Sequence, residues 1–290
     1  MLEDANSLAS FEAHDVEAVV QDEVKLAMSR YQRQASPRAI LLAGQPGAGK
    51  TELSAMLSSE MAGDVAFING DDYRRYHPHR RQLYQKFGAD SVGMISPFSN
   101  AVTEQLIAAL ARRRLNLIIE GTGRTVEVPK TTAERLTAEG YAVEMAVIAT
   151  RPEISLISTL LRFYQMEERG TIPRATAISA HDSIVAALPG NLDTLVSLPC
   201  ISRLSIWNRD LQQLFDSNID TVLPSEVLIG YWESPWLPEE IQCARDDIDC
   251  LREKERRSQL GQGSAIEELV RRVEAVQSGT PTVGMDMLQL

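Results

Sequence analysis

The octapeptide Gly44-Gln45-Pro46-Gly47-Ala48-Gly49-Lys50-Thr51 constrains this 290-residue chain more than any other feature. It follows an all-apolar run, Ala39–Ala43, and opens a helical stretch, Thr51–Met61. A short apolar run before Gly-rich punctuation suits a strand buried on both faces of a parallel sheet. The octapeptide then fits the phosphate-binding pattern G-x-x-x-x-G-K-[ST] in the context that pattern requires. Its glycines let successive backbone N–H groups curl around phosphate oxygens, and the helix starting near Lys50 adds the positive end of its dipole. In such a cradle Lys50 neutralises β- and γ-phosphates, and the Thr51 hydroxyl takes a place on Mg²⁺. The expectation is a loop, residues 44–51, that binds a nucleoside triphosphate with Mg²⁺.

Strand–helix alternation continues through the first two thirds. Val65–Ile68, Leu115–Ile119 and Val143–Ala149 read as further buried strands, separated by helical stretches at Phe98–Arg113 and Thr131–Glu139. This predicts an α/β fold of the P-loop kinase type, a doubly wound, mostly parallel sheet flanked by helices. Ahead of it, Val16, Val19, Val20, Val24, Ala27, Met28 and Tyr31 recur at helical spacing, predicting one amphipathic helix ended by Ser36-Pro37. After Pro152 the pattern is mostly helical: Glu153–Glu168, Ala177–Ala187, Leu192–Leu198, Glu226–Trp232, Pro238–Arg257 and Ala265–Gln277, with one more strand at Leu204–Trp207. The expected organisation is an N-terminal helix over 1–37, a kinase core over 38–220, a helical extension over 221–280 and a loose tail over 281–290.

A net charge of −11 opposes a broad nucleic-acid or anionic-membrane surface. No apolar run approaches the ~20 residues that span a bilayer, and the acidic start is unlike a signal peptide. These features predict a cytoplasmic protein with no nucleic-acid or membrane partner. Cys200, Cys243 and Cys250 lack zinc-ligand spacing and read as reduced thiols. The charged stretch Glu239–Arg257 reads as a solvated helix face, and Trp232 and Trp236 as core or interface anchors.

Ligands of open parallel sheets sit at the carboxyl ends of the strands. Val65–Ile68 runs into Asn69-Gly70-Asp71-Asp72-Tyr73-Arg74, where an Asp can accept the proton of an attacking hydroxyl. Gly-Asp-Asp serves equally as turn or N-cap chemistry, so spacing leaves both readings open. Leu115–Ile119 ends in Glu120-Gly121-Thr122-Gly123-Arg124-Thr125: Glu120 can assist a metal, while Thr122 and Arg124 can hold an acceptor. Arg162 and Arg174 flank a polar stretch and can close on a transferring phosphoryl group, although surface arginines are common.

Together these segments, with His77-Pro78, Tyr141–Val143, Ile148–Thr150, Ser158–Arg162, Arg174–Thr176 and Arg209-Asp210, resemble the zeta-toxin family of bacterial toxin–antitoxin systems over about residues 38–217. The resemblance implies a toxin that uses ATP-Mg²⁺ to phosphorylate the 3′-hydroxyl of the sugar in UDP-N-acetylglucosamine. It implies Lys50 on the phosphates, Asp71 as catalytic base, Glu120 near the metal, and Arg162 with Arg174 on the transferred phosphoryl group. Arg74, Glu104, Thr122 and Arg124 fall where the family contacts the acceptor. Position 69 is Asn where the family often has Asp, and the stretch from Arg162 to Arg174 is shorter than in relatives. The alternatives are a kinase for another acceptor (a different UDP-sugar, a nicotinamide dinucleotide or a nucleoside) and a nucleotide-binding module that regulates a partner without transferring phosphate. The family's usual partner is a small helical antitoxin; the acidic N-terminal helix here can pack on the core or inhibit in cis.

Overall fold

The structure is a computed structural model that describes residues 7–278 apart from 172 and 174. The expected tail at 281–290 and Arg174 therefore lie outside the described residues. In chain order the elements are α1 (Ala13–Arg30), β1 (Arg38–Ala43), α2 (Lys50–Glu60), β2 (Ala66–Asn69), α3 (Gly70–Tyr73), α4 (Arg80–Phe87), α5 (Ser91–Arg112), β3 (Leu117–Glu120), α6 (Glu127–Ala138), β4 (Ala142–Ile148), α7 (Pro152–Glu168), α8 (Ile178–Val196), β5 (Arg203–Trp207), β6 (Gln213–Asp216), α9 (Pro224–Glu233), α10 (Pro238–Ser258) and α11 (Gly263–Ser278). The strands form one six-stranded sheet in the order β2-β3-β1-β4-β5-β6. β3 runs parallel to both β1 and β2, and β6 runs antiparallel to β5. The predicted α/β, mostly parallel sheet flanked by helices is thus the observed fold.

By contacts the chain divides into two compact units. The first holds residues up to 42, 54–121 and 131–144. Its strands are in step, with Leu42 and Asn69 both level with Glu120, so three chains leave the sheet at one height. The interior strands are apolar because both faces are covered: Ile40, Leu42, Leu117 and Ile118 are all buried. β2 departs from that pattern. It sits at the sheet edge, and Phe67 is 42% exposed, so the predicted fully buried strand has one open face.

α1 buries Val16, Val20, Val24 and Ala27, while Met28 from the predicted apolar stripe is 47% exposed. The helix stops at Arg30 rather than at Ser36, because the following residues find partners off the helix: Gln32 N–H and Gln34 Nε2 donate to the Asp64 carboxylate at 2.8 and 2.6 Å. α5 begins at Ser91, not at Phe98. Pro97 removes a single N–H, and the Ser96 hydroxyl donates to the Val92 carbonyl at 2.8 Å, so the helix runs through it.

The second unit holds residues 43–53, 122–130 and everything after 144. Its helical core joins Leu156, Leu160, Phe163 and Tyr164 of α7 to Ile248 and Leu251 of α10 and to Ile266, Leu269 and Val273 of α11. Trp232 is buried and Trp236 packs against this cluster, as anchors should. α10 buries only Ala244, Ile248 and Leu251 and leaves most of its charges exposed, while Glu240 pairs with the buried Arg151 and Glu255 accepts from the Tyr164 hydroxyl at 2.7 Å. Two departures from the sequence reading occur here. Ala177–Ala187 and Leu192–Leu198, read as separate helices, are one helix through Pro189, because Ile184, Leu188, Leu192 and Leu195 form a single buried stripe whose packing overrides the Pro-Gly break. β6 was not anticipated; it pairs with β5 and closes that edge of the sheet.

Candidate functional site

The loop between β1 and α2 has the backbone that its glycines permit. Gly44, Gly47 and Gly49 have φ of 148°, 78° and 99°. A Cβ on Gly47 would fall 2.0 Å from the Ser155 carbonyl oxygen, so at this point only glycine lets the loop meet the first turn of α7. Lys50 folds back over the loop, its Nζ donating to the Gly44 and Gln45 carbonyls at 2.8 and 3.2 Å. Thr51 lies in the first turn of α2. Gln45 is fully buried, its Nε2 donating to the Thr150 carbonyl at 2.6 Å and to Ser155 Oγ at 3.3 Å. Thr150 in turn donates from Oγ1 to the Ala48 carbonyl at 2.5 Å. The loop is therefore held in shape by the chain that leaves β4, and a polar Thr at the end of an apolar strand was the signal for it.

Also in the second unit, Gly123 has φ of 70° and its carbonyl accepts from Asn191 Nδ2 at 2.9 Å. That contact shapes the loop carrying Thr122 and Arg124, where the Arg124 N–H donates to Thr122 Oγ1 at 3.3 Å. Arg162 is exposed on α7, one turn beyond Ser158. Arg209 donates to Ser158 Oγ at 3.3 Å and its Nε lies 3.7 Å from where a Cβ on Gly49 would be, a cation beside the loop that the sequence reading did not place in the site.

In the first unit, Asn69 ends β2 and caps α3, its Oδ1 accepting from the Asp71 N–H at 3.0 Å while its Nδ2 donates to Glu120 Oε2 at 3.1 Å. The N-cap chemistry read for Gly-Asp-Asp is thus supplied by Asn69, which leaves the Asp71 carboxylate outside the cap. Asp71 pairs with Arg74, Oδ1 to Nη2 at 2.7 Å, and is half-exposed. Glu104 is exposed on α5, next to Thr103, whose Oγ1 lies 3.1 Å from a Cβ built on Gly70. The first unit thus gathers Asp71, Arg74 and Glu120 around Asn69 at the ends of β2 and β3. The second gathers Lys50, Thr51 and Arg209 around the phosphate loop.

For Mg²⁺ the second unit offers the Thr51 hydroxyl and the first the Glu120 carboxylate, each a hard oxygen donor of the kind that ion takes.

A strand–glycine loop–helix with Lys folded over the loop, on a mostly parallel sheet with helices on its faces, defines a P-loop protein of kinase-like fold. The family model for Zeta toxin matches residues 21–220, and the chain belongs to that family. It is 41% identical over 201 residues to Toxin PezT of Streptococcus pneumoniae, covering 68% of this chain and 79% of that one. To Toxin zeta of Streptococcus pyogenes it is 38% identical over 195 residues, 67% of this chain and 68% of the other. A chain solved in the characterisation of the PezAT chromosomal toxin–antitoxin system of S. pneumoniae superposes with a TM-score of 0.76 at 33% identity, over 85% of this chain and 99% of that chain. A chain of the AvrRxo1-ORF1:AvrRxo1-ORF2 structure with sulphate ions shares the fold at a TM-score of 0.56 and 12% identity, over 95% and 87% of the two chains. Among the described residues no helix is long and apolar enough to cross a membrane.

Proposed function

We propose that this protein is a kinase that transfers the γ-phosphoryl group of ATP to the 3′-hydroxyl of the sugar in UDP-N-acetylglucosamine, and acts as a toxin. The observation that carries the reading is the phosphate loop: Lys50 lies on the loop carbonyls and the glycine backbone is held by Thr150 and Ser155. Membership of the zeta toxin family supports the reaction class, and the names of the relatives support the toxic role.

Each residue has a defined task in this reading. The loop N–H groups and the start of α2 hold the phosphates, and Lys50 offsets the charge that spreads over them in the transition state. Asp71 accepts the proton of the attacking hydroxyl, while Arg74 orients the carboxylate. Arg162 and Arg174 stabilise the phosphoryl group in flight, and Arg74, Glu104, Thr122 and Arg124 hold the acceptor. Bound through Thr51 and Glu120, Mg²⁺ would supply Lewis-acid neutralisation of the phosphate oxygens. A small antitoxin is the expected partner, in keeping with the toxin–antitoxin system from which the PezAT structure comes.

The test is to incubate the purified protein with Mg²⁺-ATP and UDP-N-acetylglucosamine, beside Asp71→Ala and Lys50→Ala, and to weigh the products by mass spectrometry. A sugar nucleotide heavier by one phosphoryl group, formed by the wild type alone, is the expected result. ATP binding without any such product would keep the loop's role and remove the acceptor.

A further inference from the structure

A chain of polar contacts runs through the interior of the second unit, from the phosphate loop to the last helix. Gln45 Nε2 donates to Ser155 Oγ at 3.3 Å. Ser155 Oγ lies 2.8 Å from His181 Nε2 on α8, and the other imidazole nitrogen is 3.3 Å from Asp182 Oδ1. Asp182 is gripped by Arg272 of α11 in a two-point pair, Nη1 to Oδ1 at 2.9 Å and Nη2 to Oδ2 at 2.7 Å. Arg272 is itself oriented by Glu268, which accepts from its Nε at 2.8 Å.

Gln45, Ser155 and His181 are fully buried, so each needs partners inside the protein. The Ser155 hydroxyl also lies 2.9 Å from the Pro152 carbonyl, so Ser155 Oγ ties the first turn of α7 to Gln45 on one side and to His181 on the other. Ser155 moreover presents its carbonyl to Gly47, so the same residue touches the phosphate loop twice. Gln45 carries the loop carbonyl on which Lys50 rests. A two-point guanidinium–carboxylate contact fixes orientation as well as distance, so α11 sets where Asp182, and behind it His181, can sit. Burial alone would raise the Asp182 carboxyl, but the Arg272 and His181 contacts bring it down to about 2, so the pair stays charged throughout the neutral range.

We propose that His181, Asp182 and Arg272 form a positioning relay through which helix α11 holds Ser155 and Gln45, and so keeps the phosphate loop in its nucleotide-binding shape. This gives a function to α11, which with α9 and α10 lies beyond the residues the family model matches. The relay touches neither phosphate nor acceptor. It acts by keeping the loop preformed, so that nucleotide does not have to order it on binding. The inference rests on the reading of residues 44–51 as an ATP site, and deepens it.

The experiment measures Mg²⁺-ATP binding by calorimetry, turnover, melting temperature and hydrogen exchange of the 44–51 amides in the full chain. The variants are Arg272→Gln, Ser155→Ala and, as control, Arg252→Gln, which removes a different α10–α11 ion pair, to Glu267. The expected result is a loss of ATP affinity on the order of ten-fold in Arg272→Gln and Ser155→Ala. It is accompanied by faster exchange confined to the loop, and by a KM for ATP that rises while kcat at saturation stays within about two-fold. Arg252→Gln should match the wild type. If Arg272→Gln does not fold, the double change Asp182→Asn with Arg272→Gln, which removes both charges together, takes its place. Wild-type affinity and loop exchange in folded variants, whatever their melting temperature, would overturn the relay. Absence of ATP binding by the wild type would instead overturn the reading of the loop itself.

Discussion

Arg74 Nη2 lies 2.7 Å from Asp71 Oδ1, the two residues standing one helical turn apart just after β2. Asn69 has already satisfied the Asp71 N–H, so the carboxylate is presented by a capped backbone and steadied by a guanidinium. A base that is oriented before the acceptor arrives needs no rearrangement to take its proton.

Asp71→Asn keeps the size and the cap contact and removes only the proton acceptor. Turnover should fall by roughly 10²–10⁴-fold. ATP affinity should be unchanged, because the phosphate loop is intact. Single-turnover phosphorylation and calorimetry on the same preparation check both halves; wild-type turnover in the variant would remove Asp71 as the base.

Gly47→Ala places a Cβ at 2.0 Å from the Ser155 carbonyl oxygen on a backbone with φ of 78°. Neither partner is a flexible side-chain end, so the loop or the first turn of α7 must move. The expected cost is about 1–3 kcal/mol of stability. ATP binding should be lost as well. Urea unfolding and calorimetry read the two effects separately, and a variant as stable as the wild type would show that the loop yields there.

Arg151 is 4% exposed and donates to the carbonyls of Tyr231, Trp232 and Ser234 at 3.2, 3.0 and 2.7 Å, with Glu240 Oε1 at 3.3 Å. These carbonyls end α9, where no N–H of the helix can reach them. Arg151→Ala takes the guanidinium from the Trp232 and Ser234 carbonyls and from Glu240, while Ser234 Oγ still donates to the Tyr231 carbonyl and the Leu237 N–H still donates to Glu240 Oε2, and it should cost about 1–3 kcal/mol. Chemical denaturation monitored at the tryptophans measures it, and a loss below about 1 kcal/mol would mean that water replaces the guanidinium.

The pairing of Asp216 with Arg203, 2.7 Å from Nη2 to Oδ2, lowers its carboxyl from the usual 3.8 to about 2, with the Arg203 hydrogen bond outweighing burial. A carboxyl depressed in the folded state contributes stability above its unfolded pKa and loses it as the pH falls through the folded one. The melting temperature should therefore drop between about pH 4 and pH 2, and Asp216→Asn should flatten part of that fall. An unchanged pH profile in the variant would show that the pair is not felt on unfolding.

Local spacing carried a large part of this molecule. The apolar run at Ala39–Ala43 and the glycines that follow are sufficient for a buried strand and a phosphate loop, because both depend on residues within a few positions of one another. The same holds for the placement of Asp71 just past β2 and of Glu120 at the last position of β3. Boundaries set by competition were less legible: α1 stops where Asp64 draws off Gln32 and Gln34, and α8 passes Pro189 because a buried leucine stripe outweighs one missing hydrogen bond.

What the sequence determined by itself is the class of chemistry, since a phosphate loop is written in consecutive residues whose backbone freedom is intrinsic to glycine. What tertiary structure alone decided is how that loop is held. Gln45 meets Thr150 and Ser155, Ser155 meets His181, and Asp182 meets Arg272, which is 90 positions further along the chain. No period or motif announces such contacts, because a buried hydrogen bond depends on where folding brings two side chains and not on how far apart they stand in the chain.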